Sequence, residues 1–185
     1  VQSIQAGCLA FAAIRCDGSV ITWGRCYGDL QGLRVWLKKV QQIRATMEAF
    51  AAILDDGSVV TWGRHGCSSH VQDQLRNVQE LQATDGAFAA ILDDGSVVTW
   101  GSAGHGGDCS SVRDQLQHVK EIKANKVSFA AILGDGSVAT WGLAEQGGDS
   151  SAVRDQLKNV SHIHATDTAF LAVLDDGSIL TWGYW

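Results

Sequence analysis

The chain has 185 residues, 45% apolar and 18% charged, with 14 Lys and Arg against 20 Asp and Glu for a formal net charge of −6. So apolar a chain can offset the entropy of ordering by burial, which excludes disorder, and its length suits one substantial domain. The acidic balance, with Lys and Arg scattered and adjacent only at Lys38 and Lys39, speaks against a phosphate-binding surface for nucleic acid.

The first segment, VQSIQA from Val1, carries an apolar residue at its centre, Ile4, and is expected to be a strand. The block AFAAIRCDGSVITWG follows at 10–24: a short apolar run, an Asp-Gly step, then a β-branched run ending on Trp23. Asp-Gly readily takes the positive-φ backbone of a tight hairpin turn, so the block is expected to be two antiparallel strands joined at Gly18. The run, FAAIL in its later copies, contains the helix former Ala, but five residues followed by an Asp-Gly step are too few for a stable helix and ordinary for a strand. Its continuous apolar character predicts a strand covered on both faces.

The same pattern then recurs four times. AFAAILDDGSVVTWG stands at 49–63 and again at 87–101, SFAAILGDGSVATWG at 128–142 and AFLAVLDDGSILTWG at 169–183. Each is preceded by a VxxIxA-type run centred on Ile43, Leu81, Ile122 or Ile163. The repeated tryptophans Trp23, Trp62, Trp100, Trp141 and Trp182 lie 39, 38, 41 and 41 residues apart, and the turn glycines are Gly18, Gly57, Gly95, Gly136 and Gly177. One domain over 1–185 with units at about 1–24, 40–63, 78–101, 119–142 and 160–183 is expected.

Between units lie connectors. In the fourth, GGDSSAVRDQLKN, Ser150 or Ser151 is expected to cap a short helix through Leu157, with Val153 and Leu157 on one side. The second connector is shorter than the third and fourth, and the first, RCYGDLQGLRVWLKK, departs altogether and carries Trp36. The chain has no Pro, which leaves turning to its 21 Gly.

Three strands cannot bury two apolar faces alone. Stacked neighbours can, and the regular unit of about 40 residues with small Ala side chains favours an all-β propeller, or a propeller segment, of five three-stranded blades with short helical connectors over a linear stack. FAAILDDGSVVTWG preceded by VxxIxAT resembles the repeats of the regulator of chromosome condensation family. Its short period is similar to that of the bacterial β-lactamase inhibitor propeller. That resemblance implies a seven-bladed disc used for protein recognition, whereas the present sequence has five units. A five-bladed ring, an open arc, an arc closed by another chain and an excerpt of a longer array are all open readings. The chain starts directly on a strand and ends on Tyr184–Trp185 directly after one, which suits an excerpt. Without ring closure, two sheet faces would remain as an assembly surface.

The repeated tryptophans are expected to pack between blades or against the connector helix. Trp36 stands where the other connectors have Gln74, Gln115 and Gln156, so it is a candidate binding anchor, with Arg34 and Tyr27 of the same connector beside it. His65, Cys67 and His70 have ligand-like spacing but occur once and lack a fourth ligand, so no metal is expected; His65 and His70 are retained as candidate binding residues. Aspartates at the hairpin tips, Asp55–Asp56, Asp93–Asp94 and Asp175–Asp176, are expected to cap turns and form an acidic rim. No nucleophile elbow, phosphate loop, dinucleotide fingerprint or metalloprotease motif is present, so no catalysis and no cofactor are expected.

Five cysteines, Cys8, Cys16, Cys26, Cys67 and Cys109, are an odd number without a recurring pair, which suits a reducing compartment. No secretory leader opens the chain and no apolar run approaches the ~20 residues of a bilayer span. The sequence therefore reads as a soluble intracellular protein-binding propeller scaffold whose partner is another protein or a multi-subunit assembly, without membrane insertion. A structural subunit docking through open blade faces and a lectin-like small-molecule propeller are the rival readings.

Overall fold

The computed structural model describes residues 1–25, 37–64 and 68–184. Fifteen strands form five sheets, each of three strands in sequential antiparallel order. The first unit holds β1 (Ser3–Ala6), β2 (Ala10–Ile14) and β3 (Val20–Gly24), and the second β4 (Val40–Ala45), β5 (Ala49–Leu54) and β6 (Val59–Gly63). The third holds β7 (Val78–Ala83), β8 (Ala87–Leu92) and β9 (Val97–Gly101), and the fourth β10 (Glu121–Ala124), β11 (Ser128–Ile132) and β12 (Val138–Gly142). The fifth holds β13 (Val160–Ala165), β14 (Ala169–Leu174) and β15 (Ile179–Gly183).

Each hairpin is closed by its Asp-Gly-Ser step. The Asp Oδ1 accepts from the Ser hydroxyl at 2.6 Å and from the Ser amide, at 2.8 Å in Asp94–Ser96. The same pair of bonds recurs at Asp17, Asp56, Asp135 and Asp176. The Ser hydroxyl first, and then the Ser amide, hold these five carboxyls below the usual carboxylate range. The glycine between them has φ of 75° to 83°, which an L side chain adopts only under strain.

The hairpin tip is also where the next unit docks. The Val40 amide donates to the Gly18 carbonyl at 2.9 Å, and Val78, Val119 and Val160 donate in the same way to Gly57, Gly95 and Gly136. The residue before each valine (Lys39, Asn77, His118, Asn159) itself has positive φ, and its Cα lies so near the glycine that a Cβ there would meet it at 2.7 to 3.1 Å.

Side-chain alternation gives each sheet two different faces. The leading face carries the stacked Phe–Trp pair, with ring centroids 5.2 to 5.6 Å apart, and the central Ile or Leu of the unit's first strand. The trailing face carries two alanines and one larger apolar side chain, as with Ala49, Ala51 and Ile53 on β5. Leading packs on trailing: Phe88, Trp100 and Leu81 of the third unit close over Ala49, Ala51, Ile53 and Val59 of the second. The other three junctions repeat the arrangement. The small alanines let the sheets approach, and each buried Phe contributes about 2 kcal/mol of apolar transfer.

The dry-on-both-sides expectation therefore holds for the inner units. β11 is buried at every position, and β5 and β8 at all but the last. It fails at the two ends, where Phe11 of β2 is exposed and Leu171 and Val173 of β14 are half-buried, because no unit of this chain covers those faces. The described residues form an open arc.

Among the described residues the connectors are helical only as 3-10 turns. Ser110–Gln115 of the third connector is one 3-10 segment whose N-cap residue, Cys109, makes no side-chain capping bond, and Ser151–Gln156 of the fourth is a run of turns in place of the expected helix. Asp108 and Asp149, not the serines, do the capping, accepting from the Ser110 and Ser151 amides at 2.8 Å. A segment this short cannot propagate an α-helix against its nucleation cost. Arg154 of the fourth connector reaches Gln115 of the third at 3.0 Å, tying successive connectors.

Candidate functional site

A second strap runs through the turns between the first two strands of each unit. The Cys8 amide donates to the Met47 carbonyl at 2.8 Å, Met47 to Asp85 at 2.9 Å, Asp85 to Lys126 at 2.8 Å and Lys126 to Asp167 at 3.2 Å. Thr46, Thr84 and Thr166 close their turns by accepting the amide of the alanine three residues on at 3.0 Å. Backbone bonds fix this row of turns, so its side chains are free to differ. They do: Cys8–Leu9, Met47–Glu48, Asp85–Gly86, Lys126–Val127 and Asp167–Thr168 share almost nothing within an otherwise repetitive frame. The Lys126 amine pairs with Asp167 across two units, and that hydrogen bond raises its pKa.

Above this row the third and fourth connectors make a tight turn onto the aromatic stack of the following unit. The 3-10 turns Ala103–His105 and Ala144–Gln146 end on Gly106 and Gly147, both left-handed. A Cβ on either glycine would sit 2.7 or 2.6 Å from the ring of Phe129 or Phe170. Their carbonyls accept the indole N–H of Trp141 at 3.0 Å and of Trp182 at 3.1 Å. Thr84 and Asn125 anchor the same turns through the His105 and Gln146 carbonyls.

The indoles of Trp62 and Trp100 are equally buried, yet their Nε1 atoms have no hydrogen-bond partner among the described residues. The connector before Trp100 is the shorter one: four residues separate Gly63 from Ser68, where eight separate Gly101 from Ser110. Over Trp62 lies a cavity of about 400 Å³. Leu9, Ala10, Met47, Phe50 and Trp62 give it an apolar lining, and Arg25, Glu48, Arg64, Asp85 and His105 a charged and polar one. It spans the turn row of the first three units.

Of the sequence-derived candidates, Tyr27, Arg34, Trp36 and His65 lie outside the described residues, and His70 is exposed at the turn before the 3-10 segment Gln72–Gln74. Trp62, Trp100, Trp141 and Trp182 are buried between units, whereas Trp23 is exposed on the first unit's open face. Cys8, Cys16 and Cys109 are free thiols. Sequence reasoning passed over Leu9, Met47 and Glu48; the signal was their two-residue divergence at one fixed place in the unit. Among the described residues, no group of His, Cys, Asp and Glu could hold a metal ion, and no helix is long and apolar enough to cross a membrane.

These features define an all-β arc of three-stranded, propeller-type blades. No protein-family model and no curated protein sequence matches the chain. Among solved structures it is similar to yeast RCC1 (Prp20) bound to Kap60, with a TM-score of 0.66 and 20% identity over 98% of this chain and 55% of that one. Prp20p of Saccharomyces cerevisiae, in a structure reported with its binding properties to Gsp1p and histones, gives 0.67 and 21% over 98% and 56%. Human WBSCR16 gives 0.65 and 15% over 97% and 61%. The likeness is one of propeller fold, and the chain spans little more than half the length of these proteins.

Proposed function

We propose that the protein is a non-catalytic, protein-binding scaffold of the regulator-of-chromosome-condensation type, which receives a segment of a partner protein in the cavity over Trp62. The observation that carries this reading is the cavity itself: apolar side chains beneath, charged and polar ones around, set on a row of turns where the repeated units diverge. Such a surface suits an apolar anchor with polar groups around it. The similar yeast protein, bound to Kap60, gives the fold a precedent for protein partners. The uneven connectors also favour one docking site over the matched pocket in every unit that a lectin-like propeller would need. Tyr27, Arg34, Trp36, His65 and His70 remain proposed contact residues on sequence grounds.

The test places a photo-crosslinking amino acid at Met47 and, separately, at Ser111 on a connector, in the full chain exposed to cell extract. A discrete protein adduct is expected from position 47, absent from position 111 and lost when Glu48→Lys and Arg64→Glu are added. Equal adducts at both positions, or none at position 47, would overturn the reading.

A further inference from the structure

Two of the four junctions carry a device that the other two lack. Trp141 and Trp182 give their indole N–H to the carbonyls of Gly106 and Gly147, each the first residue of a Gly-Gly step in the connector leading to them. The stretch from Gly24 to Val40 leads to Trp62 and that from Gly63 to Val78 to Trp100, and neither contains a Gly-Gly step. These are the two indoles whose N–H finds no acceptor among the described residues, although the side chains are 4% and 0% exposed.

The device has three parts. Left-handed backbone at Gly106 and Gly147, with φ of 88° and 95°, turns the carbonyl onto the indole. The missing side chain lets the backbone lie on the Phe129 or Phe170 ring, which a Cβ would meet at 2.7 or 2.6 Å. An anchor from the unit before, Thr84 or Asn125, holds the carbonyl of the preceding residue. In the first unit that anchor place is Gly7, which has no side chain to offer.

The receiving surface is nevertheless intact at Trp62. Phe50 and Trp62 stack with ring centroids 5.3 Å apart and planes 13° from parallel, against 5.2 Å and 23° for Phe129 and Trp141. Both side chains line the cavity of about 400 Å³, with Leu9 and Met47 beside them, each about half exposed. Trp100 does not line it. A buried donor at the wall of such a cavity favours an occupant that brings an acceptor and excludes water.

We propose that the cavity over Trp62 receives a glycine-containing tight turn of the partner protein: the glycine lies on the Phe50 ring and its carbonyl accepts the Trp62 indole N–H, as Gly106 does on Phe129 and Trp141. Other residues are excluded twice at that place, by the left-handed backbone and by the Phe50 ring. The proposal rests on the partner reading above and adds what the partner presents.

The probe is a cyclic peptide with the sequence of Ser102–Asp108, Ser-Ala-Gly-His-Gly-Gly-Asp, closed by a disulfide between two added terminal cysteines so that the turn is formed before binding. It is titrated into the full chain labelled with nitrogen-15, and the indole N–H resonances, assigned with Trp62→Phe and Trp100→Phe, are followed. The Trp62 resonance is expected to move downfield and saturate while that of Trp100 stays in place. The same peptide carrying Gly106→Ala is expected to bind roughly tenfold more weakly. A Trp62 resonance that does not move, equal movement at Trp100, or equal binding of the alanine peptide would each overturn the proposal.

A second measurement separates this proposal from the reading beneath it. With the photo-crosslinking residue at Met47, Trp62→Phe keeps an apolar ring in the cavity wall but removes the donor, and is expected to lower the partner adduct roughly tenfold. Trp100→Phe, which removes an equally buried donor away from the cavity, is expected to leave the adduct unchanged. Circular dichroism confirms that each variant folds. An undiminished adduct from Trp62→Phe overturns the glycine-turn proposal and leaves the partner reading standing, whereas no adduct in the parent overturns both.

Discussion

The indole of Trp141 donates to the carbonyl of Gly106 at 3.0 Å, across a junction between units, while the indole of Trp100 one unit earlier is just as deeply buried and donates to nothing among the described residues. A buried donor left unpaired costs about 1–3 kcal/mol, whereas a paired one is close to neutral or mildly stabilising. Trp→Phe removes the same ring volume at both positions but different polar consequences. Trp141→Phe strands the Gly106 carbonyl, and Trp100→Phe relieves an unpaired N–H. Trp141→Phe is therefore expected to destabilise by about 1–2 kcal/mol more than Trp100→Phe, read as the difference in urea midpoints at constant slope.

Gly95 and Gly177 have nearly the same backbone, with φ of 77° and 83°, and differ in surroundings. A methyl group on Gly95 would stand 2.7 Å from the His118 Cα, while one on Gly177 would meet nothing. Gly177→Ala is expected to cost only the left-handed backbone penalty, about 1 kcal/mol. Gly95→Ala adds displacement of the next unit's chain and is expected to cost about 3 kcal/mol or more. Thermal unfolding of the two variants separates backbone strain from junction clash.

The strands and hairpins were legible because Asp-Gly-Ser marks every turn and the apolar runs on either side are too short for anything but strands. The alternation also puts Phe and Trp on one parity and Ala-x-Ala-x-Ile on the other, but the central Ile joins the Phe–Trp face only through strand pairing, as Ile43 does opposite Ala52. That one packs on the other follows only from the structure, since the backbone straps at Gly18–Val40 and Cys8–Met47 leave no mark in side-chain pattern. The connectors misled because Ser-Ser before a Val-Arg-Asp-Gln-Leu run looks like a capped helix, whereas a segment this short forms a 3-10 segment in the third connector and plain turns in the fourth. The cavity over Trp62 was hidden for a similar reason: it lies among residues of the first three units that are distant in sequence. Trp36 stood out as an unusual aromatic, while the variable pair Met47–Glu48 looked like ordinary turn filler.

Acid stability follows from the hairpin tips. The carboxyls of Asp17, Asp56, Asp94, Asp135 and Asp176 titrate below their ordinary range in the folded chain because the Ser hydroxyl and amide bond the charged form. A depressed folded pKa means that the stabilisation is complete above the unfolded value, about 3.9, and is lost as pH falls through the folded value. These groups are expected to leave the melting temperature unchanged between pH 7 and about pH 5 and to lower it below about pH 4. Replacing all five by Asn is expected to flatten that acid limb, measured by melting across a pH series.

The unpaired indole of Trp100 can be supplied with an acceptor from the protein's own vocabulary. The four residues between Gly63 and Ser68 stand where the third connector has eight, among them the Ala103–His105 turn and Gly106 that serve Trp141. Grafting the sequence of Ser102–Cys109 in place of 64–67 is expected to bring a glycine carbonyl over Trp100, since Phe88 and Trp100 stack as Phe129 and Trp141 do, with centroids 5.2 Å apart in both. Pairing a buried donor offsets about 1–3 kcal/mol, less the small entropy of a longer loop, so the graft is expected to raise the urea midpoint. In the grafted protein Trp100→Phe should then cost as much as Trp141→Phe does in the parent. An unchanged midpoint together with an unchanged Trp100→Phe penalty would show that loop length is not what leaves the indole unpaired.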